Sequence, residues 1–600
     1  MDGGKQAGTA PAADGGGSML RDSIGLPEAG TSGGTDPWRI AGGEAATAPA
    51  VALPEWLRNT LAPARFRLRP WLIATAIFLA WIIPGVVGRD LWKPDEGYTF
   101  GLVWHILQTG DWVVPTLVDE PFMEKPPIFY LAAALTARLA SPLLPLYEGA
   151  RLASPIFIAI TCLFVALASR ALYPARPSWL APLLLIGSVG LLIHAHQLIT
   201  DVALLAGFAM AIYGLACLSA NALRAGVWLG VGVGVAFLAK GLLIPGIVGL
   251  TCLLLPVLYP RWRDRQVAHA YGVAFVVALP WLIAWPLALY LRSPALFSEW
   301  FWVNNFGRFF GFAHLAPPAM PGEYLAILPW FTFPLLPPAV WGLVSRGRPA
   351  LSDPTVQITT TLLAALLAVL GLAANARELY ALPVLLPLAL LAADGLDRVP
   401  RGLERAFFAG SALLFTLAAA AIWLGWTALN FGMPGWLAQL FQRIQPEFVP
   451  HPGRGIFLAA CAYSVAWIAV WLTFQRDHYR AAIVWSAGVA ISWGLLCILM
   501  LDWLDTGMSY RALSERIVRA LPAQHGCIAS RGLGESQRGI FDSAGLRTRR
   551  IEVDAAADCD ALLEQGFTSQ GSSPGAGWSR IWDGARPGDT KEHFWLYRRS

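Results

Sequence analysis

The apolar residues of this chain neither alternate nor mark one helical face; they come in unbroken runs. Such runs occur at 71–88 and then near 152–172, 178–196, 201–220, 226–240, 242–259 and 268–291. They continue near 324–344, 355–374, 379–393, 406–429, 456–474 and 482–500. Most are close to the roughly 17–25 residues that an α-helix needs to cross a bilayer. The pattern therefore predicts an all-α polytopic membrane protein of about thirteen transmembrane helices. One further run, 126–140, is ambiguous, because it is short, opens on Pro126 and Pro127 and contains Arg138.

Charge resolves that run. Inner loops of membrane proteins are enriched in Lys and Arg. If 126–140 lies along the membrane surface, Arg65, Arg67, Arg69, Arg170, Arg176 and Arg224 all fall inside. So do Arg261, Arg263, Arg265, Arg346, Arg348, Arg398, Arg401, Arg405, Arg476 and Arg480. Counting the run as a span turns every later one, from Arg170 onward, outward. The surface-helix reading is preferred. It predicts an inner N-terminal segment (1–69), a transmembrane domain (70–501), a long outer loop (about 90–149) and an outer tail (502–600). In the tail a helical stretch at 509–521 and strand-like runs at 527–530, 548–553 and 593–597 predict a small α/β domain.

Composition agrees with the membrane reading. The chain is 56% apolar and only 14% charged, whereas soluble proteins carry roughly a quarter charged residues. Its net charge of +5 gives no reason to expect a nucleic-acid partner. The first 50 residues are rich in Gly, Ala, Pro, Ser and Thr, lack the apolar core of a signal peptide and are expected to be disordered. Five cysteines lie within apolar runs; Cys527 and Cys559 lie in the polar tail and can pair if that tail meets an oxidising compartment.

Candidate chemistry gathers on the outer face. Pro94 stops continuation of the first span, leaving Asp95 and Glu96 at the membrane surface, where an accessible base is useful. The outer loop holds Asp90, Asp95, Glu96, Asp111, Asp119, Glu120, Glu124 and Glu148, more acid than solvation requires. Glu124 and Lys125, pinned by Pro126 and Pro127, form a second charged pair; a lysine there can hold phosphate as a point charge or snorkel to the interface. Asp201 stands in an apolar stretch, where a carboxylate is costly and usually functional, though it also suits an N-cap. Lys240 ends a span before Gly241, as an anion site or an interface anchor. Arg308 sits among aromatic residues, where its guanidinium can grip a phosphate or anchor at the lipid headgroups. Arg377 and Tyr380 make one more outer cluster. A lipid-phosphate-linked sugar has matching needs: cations for the departing phosphate, a carboxylate for the acceptor and an apolar groove for the prenyl chain.

In their order, these motifs resemble the aminoarabinose transferase and protein O-mannosyltransferase group of polytopic, C-type-fold glycosyltransferases. The likeness runs from about residue 68 to 391. It is clearest at Pro94, Asp95 and Glu96, at Glu124 to Pro127, at Thr200 and Asp201, at Lys240 and Gly241, at Arg308 and Phe309, and at Tyr380 to Pro383. The resemblance implies a bacterial inner-membrane enzyme that works on the periplasmic face. It implies inverting transfer of a sugar from an undecaprenyl-phosphate carrier to a lipid A phosphate or similar acceptor. Asp95 would be the central carboxylate and Asp201 its support, with Lys125, Lys240, Arg308 and Tyr380 holding the carrier phosphate. Two departures stand out. Gly97, Tyr98 and Thr99 replace a Thr-Arg-Tyr-like run, and Asn305 stands where a histidine is usual, with His314 nearby. The second departure disfavours a divalent metal at Glu124, and no cofactor is assigned. Protein O-glycosylation by the same chemistry is the alternative; a lipid-linked sugar transporter or flippase is the rival from another class, although the paired internal repeats common in transporters are not evident.

Overall fold

The computed structural model describes residues 70–313, 320, 322–553, 559–567, 575 and 577–600, all within one compact unit, Arg67–Ser600. The expectation of disorder over the first 50 residues, the rest of the 1–69 segment and the position of His314 lie outside the described residues. The membrane part is helical. Eight helices among the described residues are long and apolar enough to cross a bilayer: Leu146–Leu172, Ala222–Lys240, Arg265–Arg292, Pro354–Leu372, Glu378–Arg398, Arg401–Phe431, Arg454–Thr473 and Arg480–Ala520. The pair Glu323–Phe331 and Leu336–Arg346, bent by 98°, makes up to nine.

The other expected spans differ. Pro70–Ile82, Asp201–Ala216 and Leu243–Leu258 are shorter apolar helices, and 178–196 breaks into Leu180–Ile186 and Val189–Leu192. Composition alone does not reveal such breaks, because a run stays apolar through a change of backbone direction. The run at 126–140 forms the helix Ile128–Ala140, which buries Phe129, Tyr130 and Ala133.

Close packing brings two distant polar ends together. The helices Asp201–Ala216 and Ala222–Lys240 run antiparallel, and glycines let their backbones touch. A Cβ on Gly232 would lie 2.3 Å from the Ala211 nitrogen, and one on Gly214 would lie 2.5 Å from that of Leu229. Small residues permit such approach between apolar helices. The geometry sets Asp201, at the start of one helix, beside Lys240, at the end of the other.

Glu96 makes the tightest junction. It is fully buried and accepts from Arg89 at 2.6 and 2.8 Å, from Arg151 at 3.0 Å, and from the backbone amides of Trp92 and Leu198, each at 3.0 Å. Arg89 also donates to the carbonyls of Gly85 and His196, and Arg151 to those of Val86 and Asp90. One carboxylate thus joins the exit of the first helix, the Leu146–Leu172 span and the segment that leads into Asp201.

The tail is a mixed five-stranded sheet in the order Thr548–Arg550, Ile528–Arg531, Ala561–Gly566, His593–Arg599, Trp578–Gly584. The first two junctions are parallel and the last two antiparallel. Cys527 and Cys559 are disulfide-bonded just ahead of two neighbouring strands. The sequence pattern signals the Arg511–Ala520 helix and three of the strands. It misses Ala561–Gly566, whose Ala, Leu, Glu and Gln favour helix, the exposed edge strand Trp578–Gly584, and the helix Glu535–Ser543.

That last helix crosses Asp95–Thr109 with backbone almost in contact. A Cβ on Gly539 would lie 2.4 Å from the Gly97 carbonyl oxygen, and one on Gly101 would lie 2.9 Å from Gly539 Cα. Ion pairs fasten the same seam. Thr116–Leu117 and Glu120–Pro121 form a hairpin whose turn residues, Val118 and Asp119, have φ of 49° and 67°, as a type I′ connection requires. It presents Glu120 to Arg538 at 2.8 Å and to Arg550 at 3.1 Å, and Asp119 to Arg547. Asp90 pairs with Arg511, and Lys93 with Glu592.

Burial alone would raise the Glu96 carboxyl, but Arg151 and Arg89 outweigh it and hold the group at about 2, below its ordinary 4.5. A depressed carboxylate stabilises the fold above its unfolded value and ceases to do so as pH falls through its folded value. Stability of the purified protein, followed by thermal unfolding, is therefore expected to fall between pH 4.5 and about 2. Glu96→Gln is expected to remove that component of the acid dependence and to cost roughly 3–5 kcal/mol at neutral pH, as for other broken buried ion pairs. An unchanged melting temperature at both pH values would refute this role.

Candidate functional site

Helical spacing builds the centre of the site. Asp95 opens its helix and Tyr98 lies one turn on, on the same face, so the Tyr98 hydroxyl donates to Asp95 Oδ1 at 2.7 Å. Lys125 Nζ donates to the Tyr98 oxygen at 2.8 Å. Burial and the neighbouring Asp95 push the Tyr98 phenol upward, so it stays a neutral donor. Burial alone would push Lys125 toward neutrality; Glu124 reverses this and raises it above its ordinary value, so the ammonium keeps its charge. Lys125, Tyr98 and Asp95 form one hydrogen-bonded line.

Two ion pairs flank it. Lys240 pairs with Asp201 Oδ1 and its ammonium lies 4.4 Å from the centre of the Tyr380 ring. Gly241, with φ of 80°, takes a conformation that suits glycine. A Cβ there would meet Asn305 Oδ1 at 2.3 Å. Arg308 pairs with Glu124 and touches Tyr380. Burial would raise Glu124, but Lys125 and then Arg308 bring it below the usual carboxylate range. Arg377 is exposed, and its charge also acts on Glu124. Buried Asp201 Oδ2 and Arg308 Nε have no hydrogen-bond partner. One acceptor and one donor are therefore available to a ligand.

The structure thus brings together Asp95, Glu124, Lys125, Asp201, Lys240, Arg308 and Tyr380, with Arg377 at the edge. Glu96 is separate. Both its oxygens are held by arginines and amides, so the expectation of a second catalytic acid beside Asp95 gives way to a structural anchor. Most acids of the 90–149 loop are likewise spent on ion pairs; Asp111, for example, faces Arg292 at 3.5 Å.

Tyr98 and Glu535 were missed in the sequence. For Tyr98 the signal was present, since i and i+3 positions share a helix face. Glu535 lies more than 400 residues from Glu124 and has no local signature. Its surface stays exposed, yet the surrounding protein and the charge of Glu124 raise its carboxyl, against the pull of Lys125 and Arg308. Gly97, Gly101 and Gly539 were the only legible hint that its helix would arrive here.

Glu124 is engaged by Arg308. Asn305 accepts from the Leu242 amide at 3.2 Å and donates to the Trp300 carbonyl at 2.8 Å. Among the described residues no three His, Cys, Asp or Glu side chains form a metal-binding group.

No protein-family model matches the chain. The fold is similar to that of ArnT from Cupriavidus metallidurans, in a crystal structure bound to undecaprenyl phosphate, with a TM-score of 0.63 and 16% identity over 88% of this chain and 97% of that one. In sequence the chain is 30% identical over 489 residues to the undecaprenyl phosphate-alpha-4-amino-4-deoxy-L-arabinose arabinosyl transferase of Serratia proteamaculans, covering 79% of this chain and 82% of the relative. It is also 30% identical over 505 residues to the transferase of the same name from Pseudomonas aeruginosa (strain UCBPP-PA14), covering 81% and 85%. The chain is a multi-pass membrane glycosyltransferase and belongs to the undecaprenyl phosphate-alpha-4-amino-4-deoxy-L-arabinose arabinosyl transferase family.

Proposed function

We propose that this enzyme moves a sugar, with inversion, from undecaprenyl phosphate to a lipid A phosphate or a similar acceptor on the periplasmic face of the inner membrane. The relatives' names make 4-amino-4-deoxy-L-arabinose the first donor to test. The single observation that carries the reading is the joining of the Lys125, Tyr98 and Asp95 line to the Asp201–Lys240 and Glu124–Arg308 pairs.

In the transfer an acceptor oxygen attacks the anomeric carbon while the bond from that carbon to the carrier phosphate oxygen breaks. The electron pair leaves with the phosphate, and Lys240, Arg308 and Lys125 offset the charge that develops there, with Tyr380 orienting the group. Asp95, held through Oδ1 by Tyr98, presents its other oxygen to the acceptor: it orients a phosphate, or takes the proton of a hydroxyl. Asp201 Oδ2 accepts from a hydroxyl or amino group of the sugar. Glu96 is a positioning residue that fixes the segments bearing Asp95 and Asp201.

The arginine pattern supports an inner N-terminus, about thirteen crossings within 70–501, and an outer tail domain at 502–600. The Cys527–Cys559 disulfide supports the same side for the tail, because disulfides persist in oxidising compartments. Ion pairs between that domain and the 90–149 loop support one shared face for both.

Purified protein incubated with the undecaprenyl-phosphate sugar and lipid A is expected to yield sugar-modified lipid A by mass spectrometry. Asp95→Asn is expected to lower turnover by at least roughly a hundredfold at equal expression, the scale of a lost acid–base group. Turnover within a few-fold of wild type would rule out its role. Lys240→Ala and Arg308→Ala are each expected to weaken binding of undecaprenyl phosphate by roughly tenfold or more, as for a lost charged hydrogen bond. Unchanged binding in a lipid-competition assay would contradict the phosphate assignment.

A further inference from the structure

At the end of the molecule opposite the candidate site in the proposed topology, a cavity of about 670 Å³ opens between the helices Leu336–Arg346, Arg401–Phe431 and Arg480–Met508. Its floor is apolar and aromatic, with Phe407 and Trp485 in contact at 5.3 Å between ring centres and Trp341 partly exposed at the edge. Arg401, Arg405 and Arg476 line its rim, and all three are exposed.

Most acids nearby are held by cations; Asp477, which also lines the cavity, accepts from the Tyr479 amide at 2.8 Å and leaves the rim net positive. Glu404 holds Arg480 through two hydrogen bonds of 2.8 Å, Asp394 pairs with Arg346 at 2.5 Å, and Asp397 pairs with Arg176 and with His478. Arg401, Arg405 and Arg476 have no acidic partner among the described residues. Arg401 and Arg405 also lie one turn apart at the start of their helix, where like charges repel and cations oppose the helix dipole. The helix itself gives no reason for them.

We propose that this cavity binds an anionic phospholipid of the inner leaflet, its phosphate held by Arg401, Arg405 and Arg476 and an acyl chain laid over Phe407 and Trp485. Basic pockets between spans on the cytoplasmic side bind such headgroups. The apolar floor selects a lipid over a free phosphate, and the unpaired cations select an anionic headgroup over a zwitterionic one. The site rests on the proposed topology, which turns this face inward, and not on the transfer reaction.

The test is native mass spectrometry of the full-length protein released from nanodiscs of phosphatidylethanolamine and phosphatidylglycerol in equal parts. Wild type is expected to retain phosphatidylglycerol preferentially. The triple variant Arg401→Gln, Arg405→Gln, Arg476→Gln is expected to lose that preference, by at least roughly fivefold. A control variant that removes the same charge elsewhere on this face, Arg224→Gln, Arg261→Gln, Arg265→Gln, is expected to keep it. Equal retention of the two lipids by wild type, or equal loss in both variants, overturns the proposal. Labelling of Gln475→Cys by a membrane-impermeant thiol reagent in intact spheroplasts separates the two ways of failing. Protection with no lipid preference sinks the lipid site alone, whereas labelling from outside sinks the topology and this site with it.

Discussion

The buried Glu96 carboxylate between Arg89 and Arg151 is the constraint on which the rest of the structure depends. Burying three charges is costly unless their geometry and remaining hydrogen bonds are satisfied, and here both carboxylate oxygens and both guanidinium groups are engaged. Arg89 is also bound to the carbonyls of Gly85 and His196, and Arg151 to those of Val86 and Asp90. The network therefore sets the angle at which the chain leaves the first helix and the approach of the segment preceding Asp201. Asp95 and Asp201, more than a hundred residues apart, inherit their relative placement from their neighbour's ion pairs.

The same division of labour runs through the 90–149 loop. Its acids separate into those that fasten the tail and those that face the candidate site. Asp90, Asp119 and Glu120 fasten the tail domain through Arg511, Arg547, Arg538 and Arg550. Asp95 and Glu124 instead face Tyr98, Lys125 and Arg308. Within the cluster each carboxylate has a cation close by, so the site tolerates bound anions without leaving a buried acid unpaired. The tail domain is part of this arrangement, because its Glu535–Ser543 helix lies against the helix that carries Asp95.

Much of the candidate site was legible in the sequence because charge in an apolar context is conspicuous. Asp201, Lys240 and Arg308 each interrupt or close an apolar run, and arginine asymmetry alone put them on one side. Glu96 misled for a physical reason. Its neighbour Asp95 has the same chemistry, and no local pattern tells a carboxylate that meets ligand from one that will meet Arg151 some 55 residues later. Glu535 was illegible because its place depends on tertiary contact through glycines. The fold class followed from run length and composition, whereas the 98° break after Phe331 and the shortness of Asp201–Ala216 depend on packing that hydropathy does not encode.

The central claim is that Lys125, Lys240, Arg308 and Tyr380 surround one phosphate beside Asp95. A cryo-electron microscopy structure of this protein with undecaprenyl phosphate bound tests it most directly. Phosphate oxygens are expected within hydrogen-bond distance of Lys240 and Arg308, with Asp95 next to the position of the anomeric carbon. A carrier phosphate bound away from these side chains, with the Asp201–Lys240 and Glu124–Arg308 pairs undisturbed, would contradict it.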